Sequence, residues 1–231
     1  MLPETGYKAG IAELASLWDG AWCLGLSYLC GSIPFGLLLG LLAGVDIRKG
    51  GSGNIGATNT LRLCGWRFGV PALLLDAAKG VAAVLVFGAW WQERLYHGSH
   101  WSQPALCGVV AIFGHTFPVW LRFKGGRGVA TAAGVLGALM PWALAAGLAI
   151  FTLVVARTRY ISLGSMTGAL ALALAATGLA LWAPWLRGDP GAWPLAIFAW
   201  GVAGLVFLLH RPNIRRLRAG TENRLSFAKK A

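Results

Sequence analysis

The stretch VATAAGVLGALMPWALAAGLAIFTLVVA, residues 129–156, decides how this chain folds. It runs for 28 residues without a charged side chain, and as a single helix it would measure about 42 Å. The hydrocarbon core of a bilayer is about 30 Å thick, so the stretch is too long for one straight crossing and too short for two full ones. Met140 and Pro141 stand near its middle, where a proline can break a helix. The stretch therefore predicts a hairpin of two short helices, which can be re-entrant.

Apolar runs on both sides of this hairpin predict a membrane protein. Of the 231 residues, 57% are hydrophobic and 12% are charged, whereas soluble domains carry about 25% charged residues. A crossing helix needs about 20 mostly apolar residues, and the further candidates cover residues 21–45, 68–91, 101–121, 161–186 and 191–209. With the hairpin, they predict an all-α polytopic membrane protein with about seven transmembrane helical segments.

Basic residues fall mainly between these segments and predict the orientation of the chain. Cytoplasmic loops are enriched in Lys and Arg. The regions that hold 16 of the 20 basic residues are 46–67, 122–128, 157–160 and the tail from residue 210. These regions lie on one side of the membrane only if the hairpin enters the membrane and returns to the side it came from. A single tilted span would put Arg157, Arg159 and the tail on the opposite side. We therefore expect the N-terminus outside and the C-terminus in the cytoplasm.

This orientation divides the chain into three parts. Residues 1–20 are predicted to form an extracytoplasmic extension, residues 21–210 the transmembrane domain and residues 211–231 a basic cytoplasmic tail. The net charge of +12 would suggest nucleic acid in a soluble protein, but basic inner loops and anionic lipid headgroups account for it here. We expect membrane lipid as a partner and no nucleic acid.

The first cytoplasmic loop contains a glycine-rich segment, DIRKGGSGNIGATNTLR, residues 46–62. Its glycines match GxGxxG, but a membrane helix precedes them instead of a strand, so we reject a dinucleotide-binding fold. Glycines still let backbone N–H groups approach an anion closely, and neighbouring side chains add donors. The binding candidates are Ser52, Gly53, Asn54, Thr58, Asn59 and Arg62. A flexible loop that contacts lipid headgroups is the alternative.

The second cytoplasmic loop ends in KGGRG, residues 124–128, directly before a predicted helix. A helix N-terminus preceded by glycines and flanked by cations is an anion site. The spacing differs from that of a Walker A loop. The phosphate-binding candidates are Lys124, Gly125, Gly126 and Arg127. His115 is predicted to lie near the same interface, where buried packing and catalysis are both open roles.

A third group of polar residues combines residues 160–165 with residues 210–222 at the start of the tail. Pro212 is expected to end the last span sharply, which puts its neighbours at the same membrane face as the two glycine loops. The tail arginines are expected to contact lipid headgroups. The functional candidates in this group are Ser162, Ser165, His210, Asn213 and Glu222, of which Ser162 and Glu222 are expected to bind substrate or phosphate.

Asp76 and Lys79 stand three residues apart inside the second span. An intrahelical ion pair facing the bundle interior is the expected, structural explanation. The cytoplasmic face otherwise offers only Asp46 and Glu222 as carboxylates, which argues against Mg²⁺-dependent headgroup transfer. We expect no metal site and no cofactor. No histidine is followed by an aspartate five residues on, and no GxSxG elbow occurs.

Several segments occur together and in order. They are GSIPFG (31–36), residues 46–59, LLDAAKG (74–80), GHTFPVWLRFKGGRGVAT (114–131), SLGS (162–165) and HRPNIRRLRAGTE (210–222). The set resembles the bacterial acyl-phosphate:glycerol-3-phosphate acyltransferases, from about residue 21 to residue 225. The first 20 residues and the predicted outer loop around residues 188–193 depart from the compact pattern of that family.

The resemblance implies a soluble substrate, glycerol 3-phosphate, and a membrane-embedded one, acyl phosphate. The sn-1 hydroxyl would attack the acyl carbonyl and release inorganic phosphate, in the first acylation step of phospholipid synthesis. Acyl phosphates are activated, so positioning and charge stabilisation can supply most of the rate. The resemblance also implies that a substrate phosphate can accept the proton, and that the protein lies in the bacterial inner membrane with its site facing the cytoplasm.

The candidate residues receive roles as hypotheses. Arg62, Lys124 and Arg127 would hold phosphates. The glycerol moiety would be oriented by Ser52, Asn54, Thr58 and Asn59. The acyl donor would be placed, or its carbonyl polarised, by Ser165, His210 and Asn213. His115 and His210 are the side-chain alternatives to a substrate phosphate as the base, so the catalytic candidates are His115, Ser165, His210 and Asn213.

Other functions compete with this one. A transporter or binding protein for a phosphorylated metabolite would share the basic glycine loops, but it should show internal repeats and polar midplane residues. No repeat is evident, and Asp76 and Lys79 are the charged midplane feature. An enzyme of the same reaction class that uses acyl-CoA stays open. The basic inner face could also receive the soluble enzyme that makes acyl phosphate.

Overall fold

The computed structural model describes residues 4–94, 102–187 and 192–225, and within them the chain is helical, without β-strands. The α-helices are α1 Glu4–Ser32, α2 Phe35–Leu42, α3 Ala57–Cys64, α4 Trp66–Ala82, α5 Ala89–Arg94, α6 Ser102–Thr116, α7 Val129–Leu139, α8 Pro141–Thr158, α9 Ile161–Arg187, α10 Ala192–Leu209 and α11 Arg211–Arg218. A π-helical segment, Ala83–Gly88, joins α4 to α5. The loop predicted around 188–193 and the tail beyond residue 225 lie partly or wholly outside the described residues.

The membrane segments of the described chain can be compared with those predicted from the sequence. Five helical stretches of the described chain are long and apolar enough to cross a bilayer. The pair α10 and α11, bent by 56°, gives a sixth candidate, and α7 is a shorter apolar helix. The prediction of an all-α polytopic membrane protein is therefore confirmed, with five or six candidate spans and the shorter α7 in place of about seven transmembrane segments.

The predicted hairpin is present, but its two helices are unequal. Met140 separates α7 from α8, and the start of α8 packs back on α7 where Leu144 meets Gly137. The expectation of two short helices is wrong for α8, because it continues past the uncharged stretch to Thr158 and reaches 18 residues. Of the two hairpin helices, only α7, with 11 residues, is too short to cross.

The first span is broken at Ile33 and Pro34, between α1 and α2. Proline lacks a backbone N–H and cannot continue the hydrogen-bond ladder of a helix. The side chain of Lys79 donates a 2.8 Å hydrogen bond to the carbonyl of Ile33, across from α4. Helix α1 begins at Glu4 and continues without a break across residues 20 and 21, the predicted boundary between the N-terminal extension and the transmembrane domain.

Two segments predicted as irregular contain helices. Residues 57–64 of the first glycine loop form α3, which begins after Gly56. The last span, α10, ends at Leu209 just before Pro212, as predicted, but Pro212 itself occupies the first turn of α11, where a missing N–H costs nothing because the first amides of a helix have no partner within it. Both short helices bring their N-terminal ends to the same end of the bundle.

Glycines allow the helices to pack closely. Any Cβ on Gly31 would overlap the backbone of Ala111, one on Gly134 would overlap Ala77, and one on Gly80 would overlap Thr131. These contacts join α1 to α6 and α4 to α7. Close backbone approach through small residues is how helices associate in lipid, where apolar burial alone gives little driving force. Large apolar side chains such as Leu42, Trp142 and Ile197 are instead exposed on the outside of the bundle.

Candidate active site

A cavity of about 240 Å³ opens where the two glycine loops, the start of α9 and the tail meet. Most of the sequence-predicted site residues line it, namely Ser52, Asn54, Thr58, Asn59, Arg62, His115, Arg127, Ser162, Ser165, His210, Asn213 and Glu222. Asp76 also reaches its wall. Residues from four separate parts of the chain therefore converge on one space.

Asn59 organises the first glycine loop from inside it. Its side-chain amide donates to the carbonyls of Ile47 (2.8 Å) and Gly50 (3.2 Å), and its oxygen accepts from the backbone N–H of Ser52 at 2.9 Å. The residue is almost fully buried. Because these bonds use most of its hydrogen-bonding capacity, Asn59 holds the loop in shape more than it offers groups to a ligand.

Two arginines carry the positive charge of the cavity. Arg62 makes one hydrogen bond, from Nη1 to Asn59 Oδ1 at 3.3 Å. No described residue forms a hydrogen bond or ion pair with Arg127. Burial lowers the pKa of both guanidinium groups, and the neighbouring Arg216 lowers it further, whereas Glu222 raises it. Half-buried guanidinium groups without a bonded carboxylate favour an anion, and their planar forks suit a phosphate.

Helix N-termini add to this positive end. The first residues of α3 and α7 line the cavity, and both helices are preceded by a glycine, which has no side chain to cap them. Their first-turn N–H groups thus have no side-chain cap and carry the positive end of each helix dipole. Gly128, with φ 70°, gives α7 its sharp start. The α7 terminus was predicted, but the α3 terminus was missed.

Most of the second glycine loop lies outside the cavity. The N–H groups of Gly125 and Gly126 donate to the carbonyls of Thr116 and His115, each at 3.1 Å, so they are occupied within the protein. Lys124 is exposed, and neither it nor the two glycines lines the cavity. Gly53 does not line it either. From this loop, Arg127 is the predicted binding residue that reaches the cavity wall.

His115 lies between the charged residues of α4 and the second glycine loop. Its Nδ1 is 3.5 Å from Asp76 Oδ1, which is 2.8 Å from Lys79 Nζ. A Cβ on Gly126 would overlap His115 Nε2, so the ring is seated against that glycine. The expected Asp76–Lys79 ion pair is formed and buried, and it is part of a larger polar cluster that reaches the cavity.

Glu222 fastens the tail over the cavity. Its carboxylate accepts hydrogen bonds from Ser162 (2.8 Å), Asn213 (2.6 Å) and Arg216 (2.7 Å). Burial raises the pKa of Glu222, but the hydrogen bonds from Asn213, Arg216 and Ser162 outweigh it and bring that pKa below its usual range. A carboxylate held in this way organises the donors around it.

His210 and Asn213 offer acceptors at the cavity wall. His210 Nδ1 lies 2.8 Å from the carbonyl of Val206. Only a protonated nitrogen can donate to a carbonyl, so this bond assigns the proton to Nδ1 and leaves Nε2 as an acceptor. Asn213 directs its amide nitrogen to Glu222, and its buried Oδ1 has no partner among the described residues. Ser165, by contrast, donates back to the carbonyl of Ile161 at 2.9 Å.

An apolar pocket of about 70 Å³ adjoins the polar cavity between α7, α8, α9 and α10. Five residues line both the pocket and the cavity, namely Val129, Ala133, Leu148, Phe151 and Ser165. Polar and charged groups thus lie at one end, and an aliphatic lining continues from them into the bundle. Such a space suits an amphiphile with an anionic head.

Comparisons with known proteins agree with this arrangement. Residues 21–220 match the family model for glycerol-3-phosphate acyltransferase. A glycerol-3-phosphate acyltransferase of Anaeromyxobacter sp. (strain K) is 44% identical over 209 residues, which cover 89% of this chain and 97% of the relative. One from Chlorobaculum parvum is 40% identical over 223 residues, covering 89% and 96%.

Solved structures agree as well. The crystal structure of PlsY, an integral membrane glycerol 3-phosphate acyltransferase, in its glycerol 3-phosphate form is similar with a TM-score of 0.75 and 33% identity, covering 90% of this chain and 96% of that one. Its lysophosphatidic acid form gives a TM-score of 0.73 and 32% identity, with 90% and 95% coverage. The chain therefore belongs to the glycerol-3-phosphate acyltransferase family, as a multi-pass membrane acyltransferase of phospholipid synthesis.

Proposed function

We propose that this enzyme transfers an acyl chain from acyl phosphate to the sn-1 hydroxyl of glycerol 3-phosphate, giving lysophosphatidic acid and inorganic phosphate. The observation that carries the proposal is the pair of half-buried arginines, Arg62 and Arg127, at a cavity that continues into an apolar pocket. The arginines and the ends of α3 and α7 suit two phosphates. The apolar pocket suits the acyl chain of the donor.

The hydroxyl side of the reaction uses the polar groups of the wall. Ser52, Asn54 and Thr58 lie beside Arg62 and can orient the glycerol moiety while its phosphate is held. The unpaired Oδ1 of Asn213 can accept a hydrogen bond from a substrate hydroxyl. Fixing the hydroxyl close to the acyl carbonyl makes the attack effectively unimolecular, which can supply a large part of the rate enhancement.

The reaction balances without a cofactor. The sn-1 oxygen forms a bond to the acyl carbon, the bond from that carbon to the phosphate oxygen breaks, and inorganic phosphate leaves. The hydroxyl proton passes to a substrate phosphate, or to Nε2 of His210, which the Val206 bond leaves free to accept. His115 is a weaker candidate for the base, because its Nε2 is covered by Gly126.

The charges support a cytoplasmic location for the site. Arg62, Arg127 and the arginines of α11 lie at the end of the bundle that the positive-inside rule assigns to the cytoplasm. We place the enzyme in the bacterial inner membrane with the cavity open to cytoplasmic glycerol 3-phosphate. The exposed basic face of α11 suits transient contact with the soluble enzyme that makes acyl phosphate.

A single assay tests the proposal. Purified protein in lipid is given glycerol 3-phosphate with either acyl phosphate or acyl-CoA, and both phosphate release and lysophosphatidic acid are followed. We expect turnover with acyl phosphate and its loss on omission of glycerol 3-phosphate. Turnover with acyl-CoA alone would reject the donor, and no turnover with either, together with uptake of glycerol 3-phosphate into vesicles, would favour the transporter instead.

The same assay separates the two proton acceptors. If a substrate phosphate takes the proton, His210→Ala lowers kcat only through altered packing, and His210→Asn, whose amide nitrogen takes the position of Nδ1 and keeps a donor to Val206, recovers most of it. If His210 is the base, both variants lose turnover while they still bind glycerol 3-phosphate.

A further inference from the structure

The buried ion pair of α4 is an unusual feature for a helix in a membrane. Asp76 and Lys79 are 1% and 3% exposed, with 2.8 Å between Oδ1 and Nζ. Buried pairs of this kind are often no more stabilising than apolar side chains of similar size, and charges within the bilayer are costly. Mutual neutralisation alone therefore does not account for the pair, and its other contacts are informative.

Lys79 reaches the first glycine loop through the break in the first span. Its Nζ donates to the carbonyl of Ile33 and lies over the ring of Phe35. Helix α2 begins directly after this break, and the carbonyl of its Gly36 accepts a 3.1 Å hydrogen bond from Thr60 of α3. A Cβ on Gly36 would also overlap Ile55. The α3 segment that carries Arg62 is thus seated on a helix whose start Lys79 fixes.

Asp76 reaches the second glycine loop through His115. The carboxylate faces Nδ1 at 3.5 Å, and the opposite side of the ring lies against Gly126. The backbone of the same two residues is joined by the bond from Gly126 N–H to the His115 carbonyl. Arg127 follows directly in the chain, so the place of its backbone depends on how the His115 ring is held.

We propose that Asp76 and Lys79 are positioning residues that hold the two arginine-bearing loops at a fixed separation across the cavity, Lys79 through Ile33 and α2, and Asp76 through His115 and Gly126. This inference rests on the proposed function in that it takes Arg62 and Arg127 to bind the substrate phosphates. The inference goes beyond the proposed function because it gives Asp76 and Lys79 a positioning role in catalysis. Neutralisation of each other's charge within α4 would give them no such role.

The apolar double variant Asp76→Leu/Lys79→Met separates the two explanations. If the pair only neutralises itself, this variant folds and works normally. If the pair positions the loops, the variant shows a raised KM for glycerol 3-phosphate and a fall in kcat/KM on the order of 100-fold, the effect of misplacing binding groups by about 1 Å. The matched control is Asp19→Asn/Arg94→Gln, which removes a more exposed pair with a 3.8 Å separation and should leave kcat/KM unchanged. Wild-type kinetics in the apolar variant would overturn the inference.

A double-mutant cycle gives a second test that needs only milder changes. Asp76→Asn should lower kcat/KM roughly tenfold in the wild-type background and less than about threefold in a His115→Ala background, because coupled residues are non-additive. Asp76→Glu, which keeps the carboxylate, should recover part of the loss. Fully additive effects would show that Asp76 does not act through His115, and would overturn the inference even if the apolar variant failed to fold.

A binding measurement keeps this inference distinct from the proposed reaction. Glycerol 3-phosphate should raise the apparent Tm of the wild type and raise that of Asp76→Asn less at the same concentration. If the wild type shows this shift but no turnover with acyl phosphate, the donor assignment fails while the positioning role stands. Equal shifts in both proteins would overturn the positioning role alone.

Discussion

The side-chain amide of Asn213 donates a 2.6 Å hydrogen bond to the carboxylate of Glu222, nine residues further along the chain. The same carboxylate accepts from Ser162 at the start of α9 and from Arg216 in α11. The tail continues with a bond from the N–H of Leu225 to the carbonyl of Arg159 at 2.7 Å. Glu222 thus joins α9, α11 and the tail into one wall of the cavity.

We expect Glu222→Gln to weaken this wall. A glutamine oxygen can still accept, but its amide nitrogen cannot accept from Arg216, and each lost hydrogen bond to a charged group is worth about 1.5–3 kcal/mol. We predict a lower apparent Tm and a lower kcat/KM, measured by thermal unfolding in detergent and by phosphate release. Asp46→Asn, which removes a partly exposed carboxylate paired with Arg48, is the control. Unchanged kinetics for Glu222→Gln would show that the tail is dispensable for the wall.

The pH dependence of stability should carry the signature of the same carboxylate. Because its contacts bring the pKa of Glu222 below the usual range, they stabilise the fold fully above the ordinary glutamate pKa and lose this effect as the pH falls through the depressed value. The Tm difference between wild type and Glu222→Gln should therefore be largest near neutral pH and shrink in acid. A difference that grows in acid would contradict the assignment.

The two basic residues of the second glycine loop should differ. Arg127 lines the cavity and Lys124 does not, so Arg127→Ala should lower kcat/KM by roughly 10²–10³-fold, the usual cost of removing one stabilising donor from a site. Lys124→Ala should cost far less. Arg127→Lys should recover only part of the loss, because a lysine cannot fork two bonds onto a phosphate. Equal effects at positions 124 and 127 would contradict the placement of Arg127 in the cavity wall and of Lys124 outside it.

A single methyl group at position 126 should be more damaging than one elsewhere. Gly126→Ala drives its Cβ into His115 Nε2, whereas a Cβ on Gly178 of α9 meets no atom within 4 Å. We expect Gly126→Ala to lose most activity and Gly178→Ala to gain stability, by up to about 1 kcal/mol from helix propensity. Activity and apparent Tm of both variants check this. A fully active Gly126→Ala would mean that the ring is not seated as described.

The apolar pocket should determine which acyl chains are accepted. Ala133 lines both the pocket and the polar cavity, so Ala133→Leu should obstruct the passage between them. The ratio of kcat/KM for hexadecanoyl to octanoyl phosphate should fall, since each buried CH₂ that no longer fits forfeits about 0.8 kcal/mol. The control is Gly201→Ala, a position with open space around it. An unchanged ratio would place the acyl chain elsewhere.

The sequence predicts much of the fold because its charges and apolar runs act independently of tertiary contacts. The hairpin was predicted from Pro141 in the middle of an uncharged stretch that has arginines at both ends. The helix α3 was missed because its eight residues follow closely spaced glycines, which resemble a continuous loop. Its signal was present in Gly56 followed by a short run without glycine or proline.

The site was predictable as a set of residues and less so as a set of roles. The candidates were chosen for their chemistry, and most of them converge. Several contacts of the site join residues that are distant in sequence. They are the hydrogen bonds of Gly125 and Gly126 to α6, those of the donors around Glu222, and the bond from Lys79 to Ile33. Such contacts depend on helix packing, which a single sequence does not display. The part of Asn59 within its loop is likewise visible only once the loop is folded.

The short helix α7 has a consequence for the membrane itself. Its start borders a cavity at one end of the bundle, and its 11 residues stop well short of the other side. Under the proposed reaction, a product with one acyl chain and a fixed charge would be released at the level of that cavity, into the leaflet on that side. The enzyme would then add material to one leaflet only, and growth of the opposite leaflet would need a separate route for lipid to cross.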